Sequence, residues 1–215
     1  ILVTLVVYSV NQGLDPDEIE HMHTTWLVSQ GKKVYVDFFQ HHHPFLSYML
    51  VPVINTFGPT VETIMASRFI MLAFALVILL LTWLIAERVF GRREIAAAGV
   101  ILTATIGSFY MKAIEIRPDV PQVLAGLLSV YFLLGYYDNR SLRNLAASSV
   151  FLAVSFLFLQ KAMILVFAVG AMLFYDGLKK RIKPGHAVLY GAVFLLCLAP
   201  YYIYLFLSGS FGVYF

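Results

Sequence analysis

The sequence predicts an all-α, polytopic membrane protein with about seven transmembrane helices and a first extracytoplasmic loop that carries interfacial helices. Three observations lead there. Hydrophobic residues make up 60% of the 215 and charged residues only 13%, against roughly 25% charge in a soluble domain. Residues 64–86 and 187–207 are almost wholly apolar, where a buried soluble helix would keep a polar stripe. Nine of the 15 basic residues fall in three short loops, "ERVFGRRE", "DNRSLRN" and "GLKKRIKPGH", and the positive-inside rule makes that face cytoplasmic.

The remaining bulk properties exclude more than they assign. A net charge of +3 calls for no nucleic-acid partner. The single cysteine, Cys197, lies in an apolar run and supports neither an internal disulfide nor a cysteine metal site.

Taken in order, the first apolar run, Ile1 to Val10, is too short to cross a bilayer and reads as the end of a first span. It lacks the charged start and the small-residue cleavage site of a signal peptide. The chain reads as one membrane domain, residues 1–215, forming the N-terminal part of a longer protein, with residues 11–63 as its first outer loop. In that loop, "DPDEIEHMHTTWLVSQG" has the marks of a helix. Asp15 suits the N-cap, Pro16 the first helical position, Glu18 a capping box, and Gly31 the stop. Ile19, Met22 and Trp26 make its apolar stripe, so it lies in the membrane interface. "PFLSYMLVPVINTFGP" reads as a second short interfacial or re-entrant piece. Further spans are expected at 64–87, 95–111, 120–137, 145–159, 162–176 and 187–207. The interval 145–176 is too long for one span; two short helices that turn at Gln160-Lys161 keep both neighbouring basic loops on one side. Lys161 then faces a protein cavity below the membrane surface.

Eight of the 12 acidic residues and five of the six histidines lie on the outer side. Asp15 and Glu18 have capping work to do, which leaves Asp17 as a candidate general base for a hydroxyl acceptor. His21 is one turn on, on the same helical face, placed to orient Asp17 or to share a metal with it. In "HHHP", His41 to His43, at most two side chains can converge; a divalent metal and a phosphate or sugar contact both suit them. "EIRPDVP" puts Arg117 on the same side, where a guanidinium can clamp a phosphate, and Asp119 near a helix start. Lys161 adds a second cation. A base beside phosphate-binding cations at a membrane face suits group transfer from a phosphate-bearing lipid.

The run "DPDEIEHMHTTWLVSQGKKVYVDFFQHHHPFLSYMLVPVINTFG", followed some 70 residues later by "EIRPDVPQ", resembles the GT-C-type membrane glycosyltransferases. The nearest likeness is to the protein O-mannosyltransferases and aminoarabinose transferases, glycosyltransferase family 39 and relatives. The resemblance is strong from the first loop through the 120–137 span and rests on hydropathy beyond it. It implies a GT-C-like fold and inverting transfer of a sugar from a polyprenyl-phosphate donor to a glycan, lipid or protein hydroxyl. It also implies an integral protein of the bacterial inner membrane or its equivalent, with the 11–63 loop extracytoplasmic. On this resemblance Asp17 is the catalytic base, Glu18 its acidic neighbour and Asp119 the second-loop acid. Arg117 and Lys161, with His43 and His21, are the candidate substrate contacts read from the residues themselves. His42 is the candidate ligand for a divalent metal (zinc, manganese or magnesium), although the aminoarabinose transferases carry a glutamate and a lysine where His42 and His43 stand. A second reading is a non-catalytic GT-C-like subunit of a larger membrane complex. A transporter is disfavoured, because the charges gather at one face rather than at the midplane.

Overall fold

The computed structural model describes residues 6–7 and 10–214, with side chains as far as residue 212. The chain is 80% helical, and no strand occurs among the described residues. The partial span expected over residues 1–10 falls mostly outside the described residues.

Helix α1, Pro16–Ser29, starts as its sequence dictates. Asp15 caps it, accepting from the Asp17 amide at 3.0 Å, while Glu18 accepts from the Asp15 amide at 3.2 Å. Gly31, at φ +79°, takes the left-handed conformation that ends the helix. Helix α2, Phe45–Phe57, follows and stops before Gly58 at φ +73°. The longest helix, α3, is Val61–Phe90. Its 30 residues reach about 45 Å, well beyond a hydrocarbon core of roughly 30 Å.

The continuous span expected at 95–111 is instead two helices, α4 (Arg93–Thr105) and α5 (Gly107–Lys112), with Ile106 extended between them. The hydroxyls of Thr103 and Thr105 donate to the carbonyls of Gly99 and Ile101, both at 2.8 Å. Such back-bonding, next to β-branched Ile106 and followed by Gly107, weakens the helix there. Helix α6 is Asp119–Asn139 and α7 is Leu142–Phe158. Leu159 is extended, and a 3₁₀ turn, Gln160–Ala162, leads into α8, Met163–Leu178. The 145–176 interval therefore divides at the expected place. Helix α9, Pro184–Leu207, and the short α10, Phe211–Tyr214, complete the chain.

Four segments among the described residues are long and apolar enough to cross a membrane: Val61–Phe90, Asp119–Asn139, Gln160–Leu178 and Pro184–Leu207. Phe45–Phe57 and Leu142–Phe158 are shorter apolar helices. The fold is that of an all-α, polytopic membrane protein.

Helix α7 is the hub, packed along α6 and against α9. Its interface with α6 is close because it is built of small residues: Ser129 and Ser148 hydroxyls meet at 3.2 Å, and a Cβ on Gly135 would stand 2.8 Å from the Asn144 amide nitrogen. A second core joins α2, α3 and α6 through Leu46, Leu50, Met71, Ile78, Ile116 and Val120. This core carries the 113–118 loop beneath α1. Contacts gather the three basic loops at one end of the bundle: Arg88 pairs with Asp138 at 2.6 Å, and the Tyr136 hydroxyl meets His186 Nδ1 at 2.7 Å. The first loop, the 113–118 loop and the 3₁₀ turn meet at the opposite end.

Candidate active site

At that opposite end, charge from four separate stretches of sequence converges. Asp17, in the first turn of α1, meets Arg117 of the 113–118 loop with Oδ2 to Nη1 at 2.5 Å. Arg117 also approaches Glu115 at 3.5 Å and Asp119 at 3.6 Å. Asp119, the first residue of α6, receives Lys161 of the 3₁₀ turn at 3.0 Å. Lys112, the last residue of α5, binds Glu115 at 2.8 Å and Asp15 at 3.3 Å. Asp17, Arg117, Asp119 and Lys161, singled out from sequence, thus form one connected chain of ion pairs. The bond that caps α1, from the Asp17 amide, holds the Asp15 carboxyl below its ordinary value, with Lys112 and Arg117 adding to the effect.

Beside these charges opens a cleft of about 320 Å³. Its walls are apolar (Ile78, Phe109, Ala113, Val120 and Val123), and Lys112, Arg117 and Asp119 stand on its lining. A hydrocarbon chain ending in an anion matches that combination of apolar wall and cation. A larger groove, about 560 Å³, lies along the Ile19, Met22 and Trp26 stripe of α1, away from Asp17 and Arg117.

Glu18 does something else. It is fully buried, and its four acceptor positions are filled. Oε1 takes Arg68 Nε at 2.9 Å and the Ile116 amide at 3.2 Å; Oε2 takes Arg68 Nη2 at 2.5 Å and the Asp15 amide. Arg68 itself is 3% exposed and also donates to the carbonyls of Gln12 and Gly13, at 2.9 and 3.0 Å. This latch ties the start of α1 to α3 and to the loop that carries Arg117. Sequence reasoning missed Arg68 and Lys112. The signal for Arg68 was present: an ionisable side chain inside the apolar run of a span.

The histidines divide between two environments. His43 is 2% exposed, wedged against Phe156 and Tyr201, and its Nδ1 bonds the Phe156 carbonyl at 2.9 Å. Burial pushes its pKa down to about 4. His21 is also buried, with its pKa lowered to about 4 by burial and then by neighbouring His42. Its ring stacks on His42 at 5.8 Å, and His42 meets His41 at 4.0 Å. The segment is held by its backbone: Gln40 Oε1 accepts from the His41 and His42 amides, and the Tyr35 hydroxyl donates to the His42 carbonyl at 2.7 Å. Among the described residues, no three His, Cys, Asp or Glu side chains are grouped to hold a metal. His42, the expected metal ligand, has His21 and His41 as its ring neighbours.

A family model described as dolichyl-phosphate-mannose-protein mannosyltransferase matches residues 41–204. The chain belongs to this family. Comparison with curated proteins and with solved structures returns no match. As a member of the mannosyltransferase family it is an integral membrane protein, and its kind of function is sugar transfer from a polyprenyl-phosphate donor. The matched segment includes His42, His43, Arg117, Asp119 and Lys161. Asp17, Glu18 and His21 precede it, and contacts with that segment, Asp17 to Arg117 and His21 to His42, bring them to the same place.

Proposed function

We propose that the chain transfers a sugar, mannose by family, from a polyprenyl-phosphate donor to a hydroxyl acceptor at the extracytoplasmic membrane face, with inversion. Protein is the acceptor that the family description names. The observation that carries this reading is the Asp17–Arg117 contact beside an apolar cleft: a base and a phosphate-binding cation share the mouth of a lipid-shaped space. The side assignment rests on the basic loops lying at the other end.

In this reading the donor's phosphate lies at Arg117, with Lys112 and Lys161 adding positive charge, and the first lipid units fill the cleft. The acceptor oxygen attacks the anomeric carbon from the face opposite the phosphate, and its proton passes to Asp17. The bond from the anomeric carbon to the phosphate oxygen breaks, and the cations stabilise the charge that collects on the leaving phosphate. Asp119 positions Arg117 and Lys161. Glu18, fully buried and saturated with donors, positions the start of α1 rather than taking a proton. His21 backs the Asp17 face of α1, and His43 anchors the histidine segment to α7.

Asp17→Asn tests the reading. Transfer from a polyprenyl-phosphate sugar should fall by at least about 100-fold, in line with the loss of a general base, while membrane insertion and thermal stability stay at the wild-type level. Wild-type transfer in that variant would reject Asp17 as the base. An intact wild-type chain that binds no polyprenyl phosphate and transfers nothing would favour the non-catalytic subunit reading.

A further inference from the structure

Among the described residues, every cation at the site has a carboxylate partner. Lys112, Arg117 and Lys161 each already bind a carboxylate, and four carboxylates (Asp15, Asp17, Glu115 and Asp119) surround the three of them. A phosphate that takes Nη1 of Arg117 therefore competes with Asp17 for it.

Three acids approach Arg117, and they are not equally free to leave. Glu115 is 2% exposed and is also held by Lys112 and by Gln12 Nε2 at 3.0 Å. Asp119 is fixed by Lys161. Asp17 is the most exposed of the three, at 46%, and makes the shortest contact, 2.5 Å. Its release requires only a side-chain rotation, because the cap of α1 is made by the Asp17 amide and not by its carboxylate.

We infer that Arg117 is an exchange point: it holds Asp17 in the resting protein and releases it when the donor's phosphate takes its place. This rests on the reading of Asp17 as base. The general base then becomes available only with the donor bound, so the donor binds before the acceptor hydroxyl is activated. The charge balance favours this order. The donor is a phosphodiester with one negative charge. As the acceptor's proton passes to Asp17, that carboxylate becomes neutral, and the departing phosphate gains the second negative charge. Arg117 thus ends beside the growing charge with no competing carboxylate. When the lipid phosphate leaves, Asp17 gives its proton to water and pairs with Arg117 again.

The test reads the accessibility of Asp17, with farnesyl phosphate as the probe. The full chain in lipid nanodiscs is labelled with a water-soluble carbodiimide and glycinamide, and the Asp17 peptide is quantified by mass spectrometry. Saturating farnesyl phosphate should raise the labelling of Asp17 several-fold, and farnesol should not. Arg117→Gln should label at the high rate with no probe; the wild-type arm stands alone if that variant fails to fold. Farnesyl phosphate that binds by calorimetry and leaves Asp17 labelling unchanged overturns the exchange, while leaving the transferase reading intact. Failure to bind farnesyl phosphate, together with no transfer from any polyprenyl-phosphate sugar, overturns both.

Discussion

Arg68 and Glu18 show how much of this site is decided by single side chains that never touch its open face. A buried pair of this kind is costly to break, because the partner left behind is an unpaired charge out of water. Arg68→Ala should lower stability by about 3–5 kcal/mol, read as a fall in the detergent melting temperature. Replacing both partners, Arg68→Met with Glu18→Leu, should recover much of that stability without recovering transfer, because the Asp15 and Ile116 amides lose their common acceptor. Which residues were legible in the sequence follows from the same physics. Asp17 and Arg117 could be picked out because an acid and a guanidinium outside the apolar runs have few other duties. Glu18 carried an ambiguous signal, since a capping box explains its type but not its burial. Its partner lies 50 residues away, and no local pattern reports such a pairing.

Elements were legible where termini carry their own chemistry. Helix α1 begins and ends where Asp15, Pro16 and Gly31 require. Asp15→Ala should cost about 1 kcal/mol through the lost cap and should also free Lys112 from its second carboxylate. Faster amide exchange at residues 17–19 than in wild type would show the fraying. The break at Ile106 was not legible, because hydropathy is blind to hydroxyls that turn back on their own helix. Thr103 and Thr105 are mild residues on any apolar scale, yet their bonds to the preceding turn mark where α4 stops. The turn at Gln160-Lys161 was found by a different argument, from the sidedness of the basic loops. That argument works at a distance because charge placement constrains whole spans.

At the scale of the molecule, two buried histidines make stability depend on acidity. His21 and His43 have pKa values near 4 in the folded chain, against about 6.5 when unfolded. Between those values the unfolded chain binds the proton and the folded chain does not, so stability falls as pH drops from about 6.5 to 4. Each histidine contributes at most about 3 kcal/mol to that loss. The melting temperature in detergent should decline steadily from pH 7 to pH 5, and His43→Gln, which keeps a donor for the Phe156 carbonyl, should flatten the decline. A melting temperature that is constant over this range would place both rings in a wetter setting than the structure gives them.

The latch between Glu18 and Arg68 also sets a sequence of events in the making of the protein. Its parts come from residue 18, residue 68 and the amide of residue 116, so the start of α1 has nothing to close on when it is first made. The latch must wait until the chain has been made through residue 116. Asp17 then meets Arg117 only after α3 and the 113–118 loop are in place. Lys161 completes the ion-pair chain later still, once α7 and the 3₁₀ turn after it have been made. A newly made chain thus lacks the ion-pair chain by order of synthesis: its acids and cations do not meet until the bundle that supports them has assembled.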